Sequence, residues 1–177
     1  MMGKCCAYFE LDLNSLEYSR RASARDDTVF SLYFKGWAPD SLEARGSSSF
    51  VSRHDSLPSA SLGEIEHTLE LIGYPAHAGV SVNEYLAKLA MIYSFRWGKN
   101  PLILGMGDVT DLLYRERLVP GALPGIKRKI LSGIFNYYQK SELTIGDFAY
   151  MSPSELRNFA NDKVMGIHRQ LNGKVEP

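Results

Sequence analysis

Cysteine is nearly absent from this chain: two occur, adjacent as Cys5 and Cys6. With no other cysteine to pair with either, a disulfide framework and a cysteine-based zinc site are both excluded, which fits a reducing compartment. No run reaches the roughly 18 uninterrupted apolar residues of a membrane helix, and the first residues lack the apolar core of a secretory signal. A soluble, intracellular protein, cytoplasmic by default and without integral membrane contact, is therefore expected. Net charge is missing too, since 20 Lys+Arg balance 20 Asp+Glu.

Signatures of chemistry are equally scarce. His54, His67, His77 and His168 show no metal-ligand spacing, so no metal is expected. "LGMGD" (104–108) lacks the third glycine of a dinucleotide fingerprint and is followed by no Walker lysine, so no cofactor is expected. "SRHDS" brings Ser52, His54, Asp55 and Ser56 together, but in a serine-rich segment with no oxyanion-hole motif, and it reads as a solvated loop rather than a catalytic group. "MGKCC" resembles an acylation signal only if synthesis begins at Met2, and Ala7 stands at the motif's Ser/Thr position. "RRAS" offers Ser23 to a basophilic kinase, a short pattern that arises often by chance.

What is present is enough apolar material, 45% of residues, to bury a core. "CCAYFELDLN" alternates Phe9, Leu11 and Leu13 against Glu10 and Asp12, and "TVFSLYF" (28–34) repeats the pattern, predicting two strands with one wet face, paired as a hairpin. Residues 47–61 hold seven serines in fifteen positions and read as a loop or linker. Helical texture follows. Ser61 and Glu64 read as a capping box before Leu62, Ile65, Leu69 and Ile72, and Ser81 and Glu84 as another before Tyr85, Leu86, Leu89, Tyr93 and Trp97. Shorter helices are predicted over 107–118 and 124–140. Ser152, Pro153 and Glu155 combine cap, first-position proline and box, and Asp162 is read as the cap of a last helix carrying Val164, Ile167 and Leu171.

The expected class is mainly α, shading to α+β, with a small N-terminal β-hairpin (1–46), the serine-rich segment (47–61), and five or six short helices (62–177). Charge is distributed unevenly over this plan. Residues 1–80 carry 7 basic and 11 acidic side chains, whereas 125–177 carry 8 and 5.

The segments "KILSGIFNYYQKSE", "LTIGDFAYMS", "SPSELRNF" and "DKVMGIHRQL" come in that order. From about Gly125 to Gly173 they resemble the C-terminal domain of the bacterial RNA polymerase α subunit and, more loosely, other helix-hairpin-helix modules. The resemblance implies a compact bundle of short helices that touches DNA through an arginine of its first helix and a glycine-lysine-rich hairpin before its last. In the register that places Asn136 on a family asparagine, Gly133 stands at the arginine position, and Lys163 alone represents the hairpin's lysines. "LPGIKRKIL" (123–131) is similar to a helix-hairpin-helix phosphate turn, with Lys127 at its second glycine.

A physical argument accompanies the resemblance. Lys127, Arg128 and Lys129 open a predicted helix, where the macrodipole is already positive, at a cost of roughly 0.3–1 kcal/mol per exposed charge. An external anion held by free N–H groups and these side chains would offset that cost. Phe135, Tyr137 and Tyr138 offer stacking surface or, more commonly for such spacing, core. The sequence thus leads to a non-enzymatic nucleic-acid-binding or transcription-associated protein. It would hold DNA or RNA phosphates on Lys127, Arg128 and Lys129, flanked by Lys163 and Arg169. The alternative is an assembly subunit docking on a larger protein complex through its helices.

Overall fold

A computed structural model describes residues 5–11, 42–44, 49–54, 63, 66–67 and 76–173. The expected α+β class is observed, with a sheet towards the N-terminus and short helices after it. The chain divides into two compact units between Leu104 and Gly105. The division falls later than the expected boundary at 61/62 and leaves the first long helix in the same unit as the sheet.

In the first unit the strands are β1 (Cys5–Leu11), β2 (Leu42–Ala44), β3 (Ser49–His54), β4 (Ala76–Ser81) and β5 (Leu102–Ile103), ordered β2-β3-β1-β4-β5. β1 pairs antiparallel with both β3, where Phe9 faces Phe50, and β4, where Phe9 faces Ala78. Two expectations change here. Residues 49–54 of the supposed serine-rich linker form β3, while the predicted strand over 28–34 lies outside the described residues. Nor does β1 keep a wet face: Cys6, Tyr8, Ala7 and Phe9 are all buried, so both sides of the strand are covered.

Helix α1 (Glu84–Trp97) connects β4 to the parallel β5, and Cys6 and Tyr8 cluster with its Ala87 and Met91. Its cap is Asn83, whose side chain accepts from the Leu86 N–H at 2.9 Å. Ser81, the expected cap, is instead buried and donates its hydroxyl to the Leu104 carbonyl at 2.7 Å. The helix lies so close to β4 that a Cβ built on Gly79 would overlap backbone atoms of Ala87 and Met91. Past α1, the Asn100 side chain accepts from the Ala78 N–H at 2.9 Å and donates to the Ala76 carbonyl at 2.7 Å. Of the helix predicted from Leu62, the described Gly63, Glu66 and His67 are helical and exposed.

The second unit contains α2 (Met106–Arg115), α3 (Arg128–Tyr138), α4 (Ile145–Ala149), α5 (Pro153–Leu156) and α6 (Asp162–Leu171). A short antiparallel clasp joins the segment after α2 to the entry of α4, through Leu118 N–H to Leu143 O at 2.7 Å and Ile145 N–H to Glu116 O at 2.9 Å. Its core holds Leu112, Leu118, Leu123, Ile134 and Phe148, each with almost no exposed surface. Asn161, not Asp162, caps α6, accepting from the Val164 N–H at 3.1 Å.

Two glycines test these packing statements. Gly79→Ala is expected to cost about 3 kcal/mol or more, because the obstruction is backbone and cannot rotate away. Gly107→Ala, in an exposed turn of α2 with nothing within 4 Å of the added methyl, is expected to add up to about 1 kcal/mol of stability. Chemical denaturation of the two variants measures both.

Candidate nucleic-acid interface

The basic turn begins with Gly125, whose φ of 85° lies in the left-handed region open to glycine. This reversal seats the turn on α6. A Cβ at Gly125 would stand 3.0 Å from Ile167 Cδ1 and 3.6 Å from Lys163 Cε, so the Lys163 stem runs directly beside it. Ile126 is buried just beyond, anchoring the chain before α3 starts.

Lys127 then takes the N-cap position with extended backbone (φ −78°, ψ 150°) and gives no side-chain cap. The helix begins four residues later than the sequence suggests, so Lys127, Arg128 and Lys129 are cap, first and second positions. All three are exposed, and the first turn contains no acidic residue. Among the described residues, no carboxylate forms an ion pair with them or with Lys163. The remaining described helix starts of this unit differ. Asp108, Asp147, Glu155 and Asp162 occupy the first turns of α2, α4, α5 and α6.

Arg169 is placed elsewhere. It follows Ile167 by two residues, about 200° around the helix, and so projects from the side of α6 away from Gly125. In the last turn, its charge complements the helix's negative end. The Lys163 stem thus lies beside the turn that leads into Lys127, Arg128 and Lys129, while Arg169 stands in the last turn of α6.

Gly133, at the position where the resemblance expects an arginine, has a packing role. A Cβ there would meet Phe159 Cδ1 at 3.0 Å, so a long side chain would displace the ring. The tyrosines of α3 have partners within the unit, although Tyr137 is 45% exposed. Tyr137 meets Phe159 edge-on at 5.5 Å between centroids and donates its hydroxyl to Glu155 Oε1 at 2.8 Å, while Tyr138 donates weakly to the Asp147 carbonyl at 3.4 Å. They lie about 12–15 Å along the axis from the basic turn. Neither is fully buried, so the core assignment is also corrected: they are the contact between α3 and its neighbours.

Glu155 closes the cap of α5. Its carboxylate accepts from the Ser152 hydroxyl, the Tyr137 hydroxyl and the Ser152 N–H, which together hold it below the ordinary carboxylate range. The bond to Glu155 is also the first cause holding the Tyr137 phenol above its usual range.

Of the residues first read for chemistry, Ser52 and His54 lie on β3, whereas Asp55 and Ser56 lie outside the described residues. His168 is buried, with Nε2 2.9 Å from the Met151 carbonyl and its ring edge-on to Phe148. No group of three potential metal ligands occurs among the described residues, and none of their helices is long and apolar enough to cross a membrane.

Two exposed aromatic features escaped the sequence reading. Tyr114 and Tyr150 stack on one another at 5.8 Å, both more than half exposed. The end of α1 carries Phe95 and Trp97 into solvent, although Trp97 has the spacing of the helix's buried face. The interleaved "FRWGK" was the available signal for the second; nothing local marks the first.

No protein-family model and no curated protein matches the chain. Solved structures do. A Dbh DNA polymerase captured in an insertion ternary complex aligns with a TM-score of 0.60 at 14% identity, over 98% of this chain and 69% of its own. DinB from Sulfolobus solfataricus aligns at 0.59 and 14%, over 98% and 68%. A Y-family DNA polymerase chimera of Dbh and Dpo4 aligns at 0.58 and 13%, over 98% and 69%. At such identities the likeness establishes the fold: this chain is folded as Y-family DNA polymerases are over about two-thirds of their length.

The Glu155 cap yields a pH prediction. A carboxyl whose folded pKa is lowered contributes stability that is complete above its unfolded pKa and is lost as pH falls through the folded pKa. Glu155→Gln is therefore expected to flatten the acid limb of the stability profile below the ordinary Glu range, with little change in slope above it. Ser152→Ala is expected to cost about 1 kcal/mol at neutral pH as a lost cap. Urea titrations from pH 3 to 7 read both.

Proposed function

We propose that the chain is a nucleic-acid-binding protein whose second unit holds backbone phosphates at the start of α3, in the manner of a helix-hairpin-helix module. The observation that carries this reading is the uncompensated charge of that turn. Lys127, Arg128 and Lys129 are exposed, lack described acidic partners, surround backbone N–H groups that no side chain caps, and follow the Gly125 turn, beside which the Lys163 stem runs. An anion at this helix start would be stabilised by the free N–H groups, the dipole and the cations nearest to it. The shared fold with DNA polymerases supports a nucleic-acid partner over other polyanions. The reading is one of binding, and the nucleotide insertion named for the Dbh complex is that protein's own.

A second reading, docking on a larger protein complex, is favoured by one feature. Met106, Tyr114 and Tyr150 are large apolar side chains exposed by 43%, 62% and 53%, and the two tyrosines already stack on one another. A pulldown whose partners survive nuclease treatment and are lost with Tyr114→Ser and Tyr150→Ser would favour it.

The phosphate reading makes a paired prediction. Changing Lys129→Glu places an acidic side chain where the helix start favours one, so thermal stability should rise by roughly 0.5–1 kcal/mol. Binding to duplex DNA should weaken in the same variant. Replacing Lys127, Arg128 and Lys129 together by Gln should lower the slope of log K against log salt by about two to three. Duplex affinity indifferent to all these changes, measured by anisotropy over a salt series, would remove the proposal.

A further inference from the structure

The last turn of α1 is unusual for its combination of rings and charge. Phe95 is 68% exposed and Trp97 42%, with Arg96 between them and Lys99 following, also exposed. Over residues 85–107 the sequence carries Lys88, Arg96 and Lys99 and no Asp or Glu at all. A bare aromatic patch has no preferred partner, whereas one interleaved with cations complements an anion that also has apolar faces.

The rings are held from behind. Trp97 leans on the buried Tyr93 at 5.2 Å between centroids, and the Arg96 guanidinium lies over the same Tyr93 ring at 5.1 Å. Phe95 meets His77 of β4 edge-on at 4.9 Å, which fixes its ring while leaving most of it open. Two residues apart on a helix, Phe95 and Trp97 project to nearly opposite sides, about 200° apart. Such a geometry suits separate bases of a strand that crosses the helix end, with phosphates passing Arg96 and Lys99. A duplex keeps its bases stacked inside and cannot supply them. Single strands expose both components, and base–aromatic stacking tolerates any sequence.

We infer that the end of α1 is a binding site for single-stranded nucleic acid, with Phe95 and Trp97 stacking on bases and Arg96 and Lys99 meeting the backbone. The site is built from the first unit alone and does not depend on the α3 turn. The two readings therefore fail separately.

The test uses the full chain with fluorescein-labelled oligothymidylate, alongside duplex DNA and phosphatidylserine vesicles. Phe95→Leu and Trp97→Leu keep apolar bulk but remove the rings; each is expected to weaken oligothymidylate binding about tenfold, with duplex affinity changed less than twofold. In a Trp37→Phe background, Trp97 emission should be quenched as the oligonucleotide saturates. Equal thermal midpoints for variants and parent would exclude misfolding as the cause of a loss. Oligothymidylate affinity unmoved by both ring variants would overturn the inference, as would unquenched Trp97 at saturation. Ring-dependent capture on the vesicles without oligothymidylate binding would also overturn it, in favour of a membrane surface. Loss of oligothymidylate binding only when Lys127, Arg128 and Lys129 are replaced would overturn it while leaving the α3 reading intact.

Discussion

The second unit depends on a single backbone reversal. At Gly125 the chain takes a left-handed conformation and rests on Ile167 and the stem of Lys163, with Ile126 buried immediately after. Past the buried Ile126, Lys127, Arg128 and Lys129 are all exposed. Lys127 takes the N-cap position with the extended backbone usual there, but its side chain has no acceptor, so the helix opens without a capping side chain. A residue with a Cβ at 125 would meet both strain and obstruction.

α4 and α5 begin with reciprocal caps, Thr144 with Asp147 and Ser152 with Glu155, and α1 and α6 begin with asparagine. Each uses its own side chains to satisfy the free N–H groups that a helix start leaves over. The start of α3 has cations where the others have acceptors. Among the described helices, α2 also begins without a side-chain cap, at Gly105, but its first turn carries Asp108, which accepts from the Gly105 N–H; the first turn of α3 has neither a capping side chain nor an acidic residue.

Much of the second unit was legible, because its helices carry strong local punctuation: Ser152, Pro153 and Glu155 behave as their order suggests. Errors of one residue arose where two candidate caps were adjacent, as with Asn161 and Asp162, since either side chain has the right chemistry and only geometry chooses. The first unit was harder. Phe50 and Val51 are neighbours among serines and show no alternation, so β3 could not be told from a loop; its identity comes from pairing with β1, a distant segment. β4, with Ala76, Ala78, Gly79 and Val80, has small residues because α1 presses on it, and small residues read weakly as strand. Of the proposed site, the three cations were plain in the sequence. The closeness of the Lys163 stem to Gly125 was not legible, because it comes from α6 packing on a turn some forty residues earlier, and Arg169 lies two steps, about 200°, around α6 from Ile167.

The Asn100 side chain imitates a neighbouring strand along β4, taking the Ala78 N–H and offering its amide to the Ala76 carbonyl. β5 contributes only two residues, so without this amide the first half of β4 would present open ladder groups to any passing extended segment. A single polar side chain therefore occupies the ladder groups of β4 that its two-residue neighbour leaves over, doing with one amide what a longer strand would do with backbone.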